Sequence, residues 1–171
     1  LFSTHPSLHN PSKNKKPFVL FAYSASDVDV LELDLPNTRF DVVLSFHSKF
    51  TSFASVKFGR GIVSGTNGTF FEITPTQITP INCLTEEVRD TPVSHGLNIA
   101  NYIDIIIDVS GYLTTVTINS NGDTFTHTFK DFGGRDGFRN FRGSQGSAKA
   151  YMTGAFSNSK ISFYPKKIQS N

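Results

Sequence analysis

Between residues 99 and 129, apolar and polar positions alternate with a period of two. Ile103, Ile105, Ile107 and Val109 fall on one side and Asp104, Ile106 and Asp108 on the other, so a strand here turns one apolar face to a core. A second run sets Val116 and Ile118 against Thr115, Thr117 and Asn119, and a third sets Phe125, His127 and Phe129 against Thr124, Thr126 and Thr128. Asn121-Gly122 lies between these two runs, and both residues tolerate the positive φ angles of a two-residue type I′ turn. The stretch predicts an antiparallel meander.

Upstream, residues 18–23, 28–35, 40–46 and 52–58 have the same strand character, with Pro36-Asn37 as the break between the second and the third. Residues 70–74 and 76–81 predict two further short strands, and 148–152 and 160–164 two closing ones. Thr66-Asn67-Gly68-Thr69 reads as a hairpin turn, although Asn67-Gly68-Thr69 is also a formal glycosylation sequon. The polar connection 85–96, with Glu86, Glu87, Arg89 and Asp90, has room for one helical turn. No heptad, amphipathic helix or internal repeat is present. About ten short strands with turn signals between them predict an all-β fold, an antiparallel β-sandwich or barrel in a single domain. Residues 1–16, with His5, Pro6, His9, Pro11 and the lysines 13, 15 and 16, lack apolar periodicity and read as a linker or flexible N-terminal segment. The sandwich domain is then 17–168 and the C-terminal tail 169–171.

Composition narrows the class. A chain of 171 residues is long enough for one domain with a substantial core and short for two. Its 17 Phe and 5 Tyr, with no Trp, fit the pleated surface of sheets, and 37% hydrophobic residues exclude disorder for most of its length. A net charge of +2 is not the concentrated positive field of a nucleic-acid binder. Cys83 is the only cysteine, which excludes an intrachain disulfide. No apolar run approaches the roughly 20 residues of a bilayer-spanning helix. A first residue other than Met reads as a processed or excised piece, with a removed signal peptide an open reading.

Several groups of residues carry possible chemistry. Glu32 and Asp34, at i and i+2 of a strand, project from one face, as paired carboxylates acting on a glycosidic bond must; the competing reading is an alternating strand with its acids in water. Asp104 and Asp108 stand two pleats apart, roughly 13 Å, too far to share one ion, and are expected to pair with a cross-strand Lys, Thr or Asn. His5 and His9 have helical metal-ligand spacing, but Pro6 and Pro11 oppose a helix. His47, His95 and His127 have no Ser, Cys or acid at motif spacing, and no nucleophile elbow or phosphate loop is present. The most unusual segment is 130–146, where Phe132, Phe138 and Phe141 interleave with Arg135, Arg139 and Arg142 among glycines. Aromatic and guanidinium groups together stack on sugars or bases, but Asp131, Asp136 and the lack of a repeat argue against an RNA tract. Two readings stay open: a long ordered loop with Phe tucked in and Arg paired with Asp, or a ligand-binding loop.

The strand Asn101-Tyr102-Ile103-Asp104-Ile105, the Ile118-Asn119-Ser120-Asn121-Gly122 hairpin and the last strand Ser159-Lys160-Ile161-Ser162-Phe163-Tyr164 resemble a concanavalin A-like or laminin G-like jelly roll. The resemblance spans residues 18–167 and implies a jelly-roll sandwich, of a kind found in secreted bacterial proteins beside esterase or glycosidase domains. It carries over no catalytic residue and no calcium or sugar position residue by residue. Glycosidases of the laminarinase type have Glu-x-Asp-x-x-Glu on such a strand; here the third acidic position is Asn37. The expected function is a non-catalytic accessory module, secreted or at the cell surface, that binds a carbohydrate or protein surface ligand. It would use Tyr112, Arg135, Phe138, Arg139 and Arg142, with no nucleic acid, no membrane span and no cofactor, calcium finding no support in the residues. The alternatives are a structural or interaction module of a phage, capsid or cell surface, and a divergent glycosidase using Glu32 and Asp34.

Overall fold

The computed structural model describes residues 2–3, 7–9, 18–24, 30–35, 42–62, 68–83, 85–110, 113–130 and 146–165. Two long strands organise them: β5 (Val42–Ile62) and β12 (Gly146–Pro165). They pair antiparallel along their whole length, from Gly146 opposite Ile62 to Pro165 opposite Val42. The first half of β12 also pairs with β4 (Val30–Leu35). The second half of β5 pairs with β6 (Gly68–Ile73), which continues to β7 (Gln77–Asn82) and β8 (Val93–Ser94). These strands make the first sheet. In the second, the far half of β12 pairs with β3 (Phe18–Ser24), whose other edge holds β1 (Phe2–Ser3) and β2 (Ser7–His9). The near half of β5 pairs with β9 (Tyr102–Ser110), followed by β10 (Leu113–Ser120) and β11 (Asp123–Phe129). Among the described residues every pairing is antiparallel and no helix occurs.

The two sheets face each other because β5 and β12 double back. Phe46 and Phe58 are twelve positions apart on β5, about 40 Å along a straight strand, yet their ring centroids are 5.6 Å apart. The corner lies where the β5–β12 register shifts, between Thr153 and Gly154, Ala155 and Phe156, and Ser157 and Lys160. Such bulges bend a strand and raise its twist. Gly154 (φ 140°) and Asn158 (φ 53°) supply the unusual backbone angles. Phe50, Phe53 and Phe156 fill the inside of the bend, with centroids 5.3 to 6.0 Å apart. The strands predicted at 40–46 and 52–58 are therefore, over residues 42–58, one, as are 148–152 and 160–164.

Alternation builds the core. Leu31, Leu33 and Leu35 of β4, Leu44 and Phe46 of β5, Ile103, Ile105 and Ile107 of β9, and Val116 and Ile118 of β10 all point inward. Each fully buried Leu, Ile or Phe contributes roughly 1.5–3 kcal/mol relative to exposure. The Asn121-Gly122 turn has φ of 50° and 88°, the positive pair of a type I′ hairpin, and closes Ser120 opposite Asp123. The segment 85–96 forms no helix; a single i→i+4 bond, from the Glu86 N–H to the Asn82 carbonyl at 3.0 Å, closes one turn at its start. Asn82 and Glu87 bond through the backbone at 2.9 Å and Val88 bridges to Ile81, so the chain folds back along β7 before reaching β8.

His95 fastens the crossing from the first sheet to the second. The Leu97 N–H donates to its Nδ1 at 3.0 Å, so Nε2 carries the proton and donates to the Thr74 carbonyl at 2.9 Å. A His95→Ala variant strands both backbone groups in a site only 5% exposed. The expected loss is about 2 kcal/mol, read as a drop of roughly 4–8 °C in Tm by calorimetry.

Candidate functional site

The expected ligand residues Tyr112, Arg135, Phe138, Arg139 and Arg142 lie outside the described residues, as does Asn67. Their anchors are described. Ser110 of β9 pairs with Leu113 of β10, and Thr114 pairs with Phe129, so the end of β11 lies beside the facing ends of β9 and β10. The Phe129 ring packs on Phe71 at 5.4 Å and ties this end of the second sheet to the first.

A second concentration of polar chemistry lies on the outer face of the second sheet, near the corner. One cross-strand row runs Lys160 of β12, His47 of β5, Asp104 of β9, Asn119 of β10 and Thr124 of β11. His47 Nδ1 hydrogen-bonds Asp104 Oδ1, and the two side chains keep 31% and 33% of their surface exposed. Thr124 donates to Asn119 Oδ1, which leaves the Asn119 amide nitrogen as a donor. One row nearer the corner, Lys49 stands opposite Tyr102, whose ring centroid is 6.2 Å from that of His47. The Tyr102 hydroxyl accepts the Gly122 N–H at 3.1 Å, so the hairpin turn fixes the ring from its far end. Below, Ser120 Oγ accepts from the Ala100 N–H at 2.9 Å and donates to the Tyr102 carbonyl at 2.7 Å. Away from the corner the face continues as hydroxyl pairs, Ser45 with Ser162 at 2.7 Å, Thr117 with Thr126 at 3.1 Å and Thr115 with Thr128 at 2.9 Å. Rigid strands thus hold donors, acceptors and one aromatic ring at the surface in fixed order.

Sequence spacing missed His47 as a candidate because its acid lies 57 residues away. The usable signal was parity, since both residues sit on the polar side of alternating strands. Asp104, expected to pair with a Lys, Thr or Asn, pairs with a histidine instead, because the β5–β9 register puts His47 directly opposite it. His127 stacks edge-on against Phe129 at 4.6 Å. Among the described residues no cluster of three or more His, Cys, Asp and Glu has metal-binding geometry. Glu32 and Asp34 do share one face. Both are exposed on the outer side of β4, opposite Lys149 and Ser147.

No protein-family model matches the sequence, and no curated protein matches it. Solved structures do match in shape. The winged bean acidic lectin complexed with methyl-α-D-galactose matches with a TM-score of 0.53 over 94% of this chain and 86% of its own, at 10% identity. The exoplasmic/lumenal domain of VIP36, in its Ca2+/Man3GlcNAc-bound form, matches with a TM-score of 0.52 over 99% of this chain and 85% of its own, at 9% identity. The CBM2 module of the Lactobacillus casei BL23 phage J-1 evolved Dit reaches 0.51 over 97% and 77%, again at 9% identity. The chain has the concanavalin A-like jelly-roll fold. The resemblance carried by the 101–105 strand, the 118–122 hairpin and the last strand therefore holds at the level of the whole architecture. In this jelly roll the two layers are built on the shared pair β5 and β12, with the meander β9–β10–β11 completing the second.

Proposed function

We propose that this jelly roll is a non-catalytic module that binds a glycan or another surface ligand, as part of a larger secreted or surface protein. The observation that carries the reading is the fold's near full-length likeness to sandwiches solved with saccharides bound, methyl-α-D-galactose in one and Man3GlcNAc in another. In this reading the ligand meets Tyr112 and the arginine and phenylalanine side chains of 131–145. Arg135, Arg139 and Arg142 donate to hydroxyls or carboxylates while Tyr112 and Phe138 offer aromatic faces. The strand ends that flank these two segments, Ser110 and Leu113 on one side and Phe129 on the other, lie on neighbouring strands.

A glycan array followed by titration calorimetry tests this. Binding to at least one saccharide is expected, weakened by about tenfold or more in an Arg139→Ala, Arg142→Ala double variant, since a lost charge-assisted hydrogen bond costs roughly 1.5–3 kcal/mol. No binding across the array, or affinity unchanged in the double variant, would count against it. One of the matching sandwiches is a module of a phage protein, and a second reading makes this sandwich a structural or interaction module. That reading expects multimers in light scattering and no affinity for sugars.

A further inference from the structure

The outer face of the second sheet, where it approaches the corner, carries chemistry that the loop reading leaves unused. We infer that it is a second saccharide subsite, separate from the loop, that takes a uronate-bearing oligosaccharide on Tyr102, His47, Lys49 and Lys160. The inference rests on the reading of the module as a glycan binder and adds both a location and a ligand class to it.

Preorganisation is the first argument. Asp104 accepts a hydrogen bond from His47 Nδ1, which fixes the ring and leaves Nε2 as the nitrogen available to a ligand. Tyr102 is held at its hydroxyl by the Gly122 N–H and at its backbone by Ser120. An aromatic ring pinned in this way, with hydrogen-bonding groups around it, matches the apolar face and hydroxyl rim of a pyranose. The polar groups sit on strands, so a ligand meets them with little ordering cost.

Charge selects the acid. Lys160 lies directly opposite His47, and Lys49 lies opposite Tyr102, two positions along β5 from His47. Both are exposed, and neither makes an ion pair among the described residues. Strand spacing and rise put their Cα atoms about 8 Å apart, the scale of one sugar ring and its linkage. Among the described residues, three acids lie near enough to matter. Asp104 is engaged by His47. Asp108 stands roughly 13 Å further along β9. Asp123 pairs with Ser120, whose side chain is buried, and so falls on the other side of β11. The corner end of this face therefore presents, beside a fixed ring, two ammonium groups with no ion-pair partner among the described residues, the complement of a sugar carboxylate.

The test is a titration of the 15N-labelled protein with oligogalacturonate and, in parallel, with its fully methyl-esterified form. Oligogalacturonate is expected to shift the amides of His47, Lys49, Tyr102, Asn119, Gly122 and Lys160. The ester should bind at least about tenfold more weakly, as should oligogalacturonate to a Lys49→Gln, Lys160→Gln variant or a Tyr102→Ala variant. The lysine variant changes exposed groups only and is expected to keep the Tm, so a loss of binding there is not a loss of fold. Raising the salt concentration should weaken the acid and leave the ester unchanged. Absence of shifts at these residues, or equal affinity for acid and ester, would overturn the inference. So would loss of all oligogalacturonate binding in the Arg139→Ala, Arg142→Ala variant, an outcome that keeps the loop reading intact. Retained oligogalacturonate binding in that variant, with the shifts above, is the expected result and would support the sheet face as a subsite separate from the loop, whose own test remains the glycan array.

Discussion

A Gly154→Ala variant is expected to lose about 3 kcal/mol of stability or more, seen as a fall of roughly 6–12 °C in Tm. Two costs combine at this position. Its φ of 140° lies where side chains are rarely tolerated, and an added Cβ would stand 2.3 Å from the Ser52 carbonyl oxygen and 3.1 Å from the Ser52 carbonyl carbon. Those atoms are backbone of the paired strand, so the corner has to open to admit the methyl group. Gly96→Ala is the matched control. Its φ is also positive, at 68°, but nothing lies within 4 Å of the added Cβ. It should cost only about 1–2 kcal/mol, the backbone preference alone. Thermal melts of the two variants side by side separate the steric part from the conformational part, and equal losses would mean that the close approach at Ser52 is not what holds the corner.

Phe58→Ala is expected to cost about 3–5 kcal/mol in urea unfolding, the range for removing a buried aromatic side chain. Phe58 and Phe46 are both 0% exposed, and their rings touch although they belong to one strand. Phe46→Ala should cost a similar amount, and the double variant should cost less than the sum by about 0.5–1.5 kcal/mol. Strict additivity would sink the doubled-back geometry, since rings about 40 Å apart along a straight strand have nothing to share.

The meander was legible because it obeys a single rule over nearly thirty positions, and because Asn121-Gly122 marks its turn with residues that suit its φ angles. By the same rule β4 turns Leu33 and Leu35 inward and its acids to water. The corner was illegible because the rule stops there. Where β5 and β12 bend, the inward position of Ser48 is polar and fully buried, satisfied by the Ser159 hydroxyl at 2.7 Å and the Ser157 carbonyl at 3.0 Å. A buried hydroxyl pair looks, in sequence, like a loop between two strands. The polar face near the corner was half legible. Alternation put Asp104 on the outer side, but only the register of β5 against β9 could bring His47 to it. Residues 135–142 attracted attention through composition, which carries no geometry, and they lie outside the described residues.

The placement of β12 in the middle of both layers has a consequence for how the protein is made. It supplies the strand between β4 and β5 in one sheet and between β3 and β5 in the other. A chain emerging from the ribosome can pair β5 with β6 and with β9 early, but β3, β4 and the remaining edge of β5 have no partner to join them until β12 has been made. Contacts this distant in sequence form slowly. During synthesis those three edges stand open awaiting one ribbon, which makes shielding by chaperones a natural part of the route to the native state.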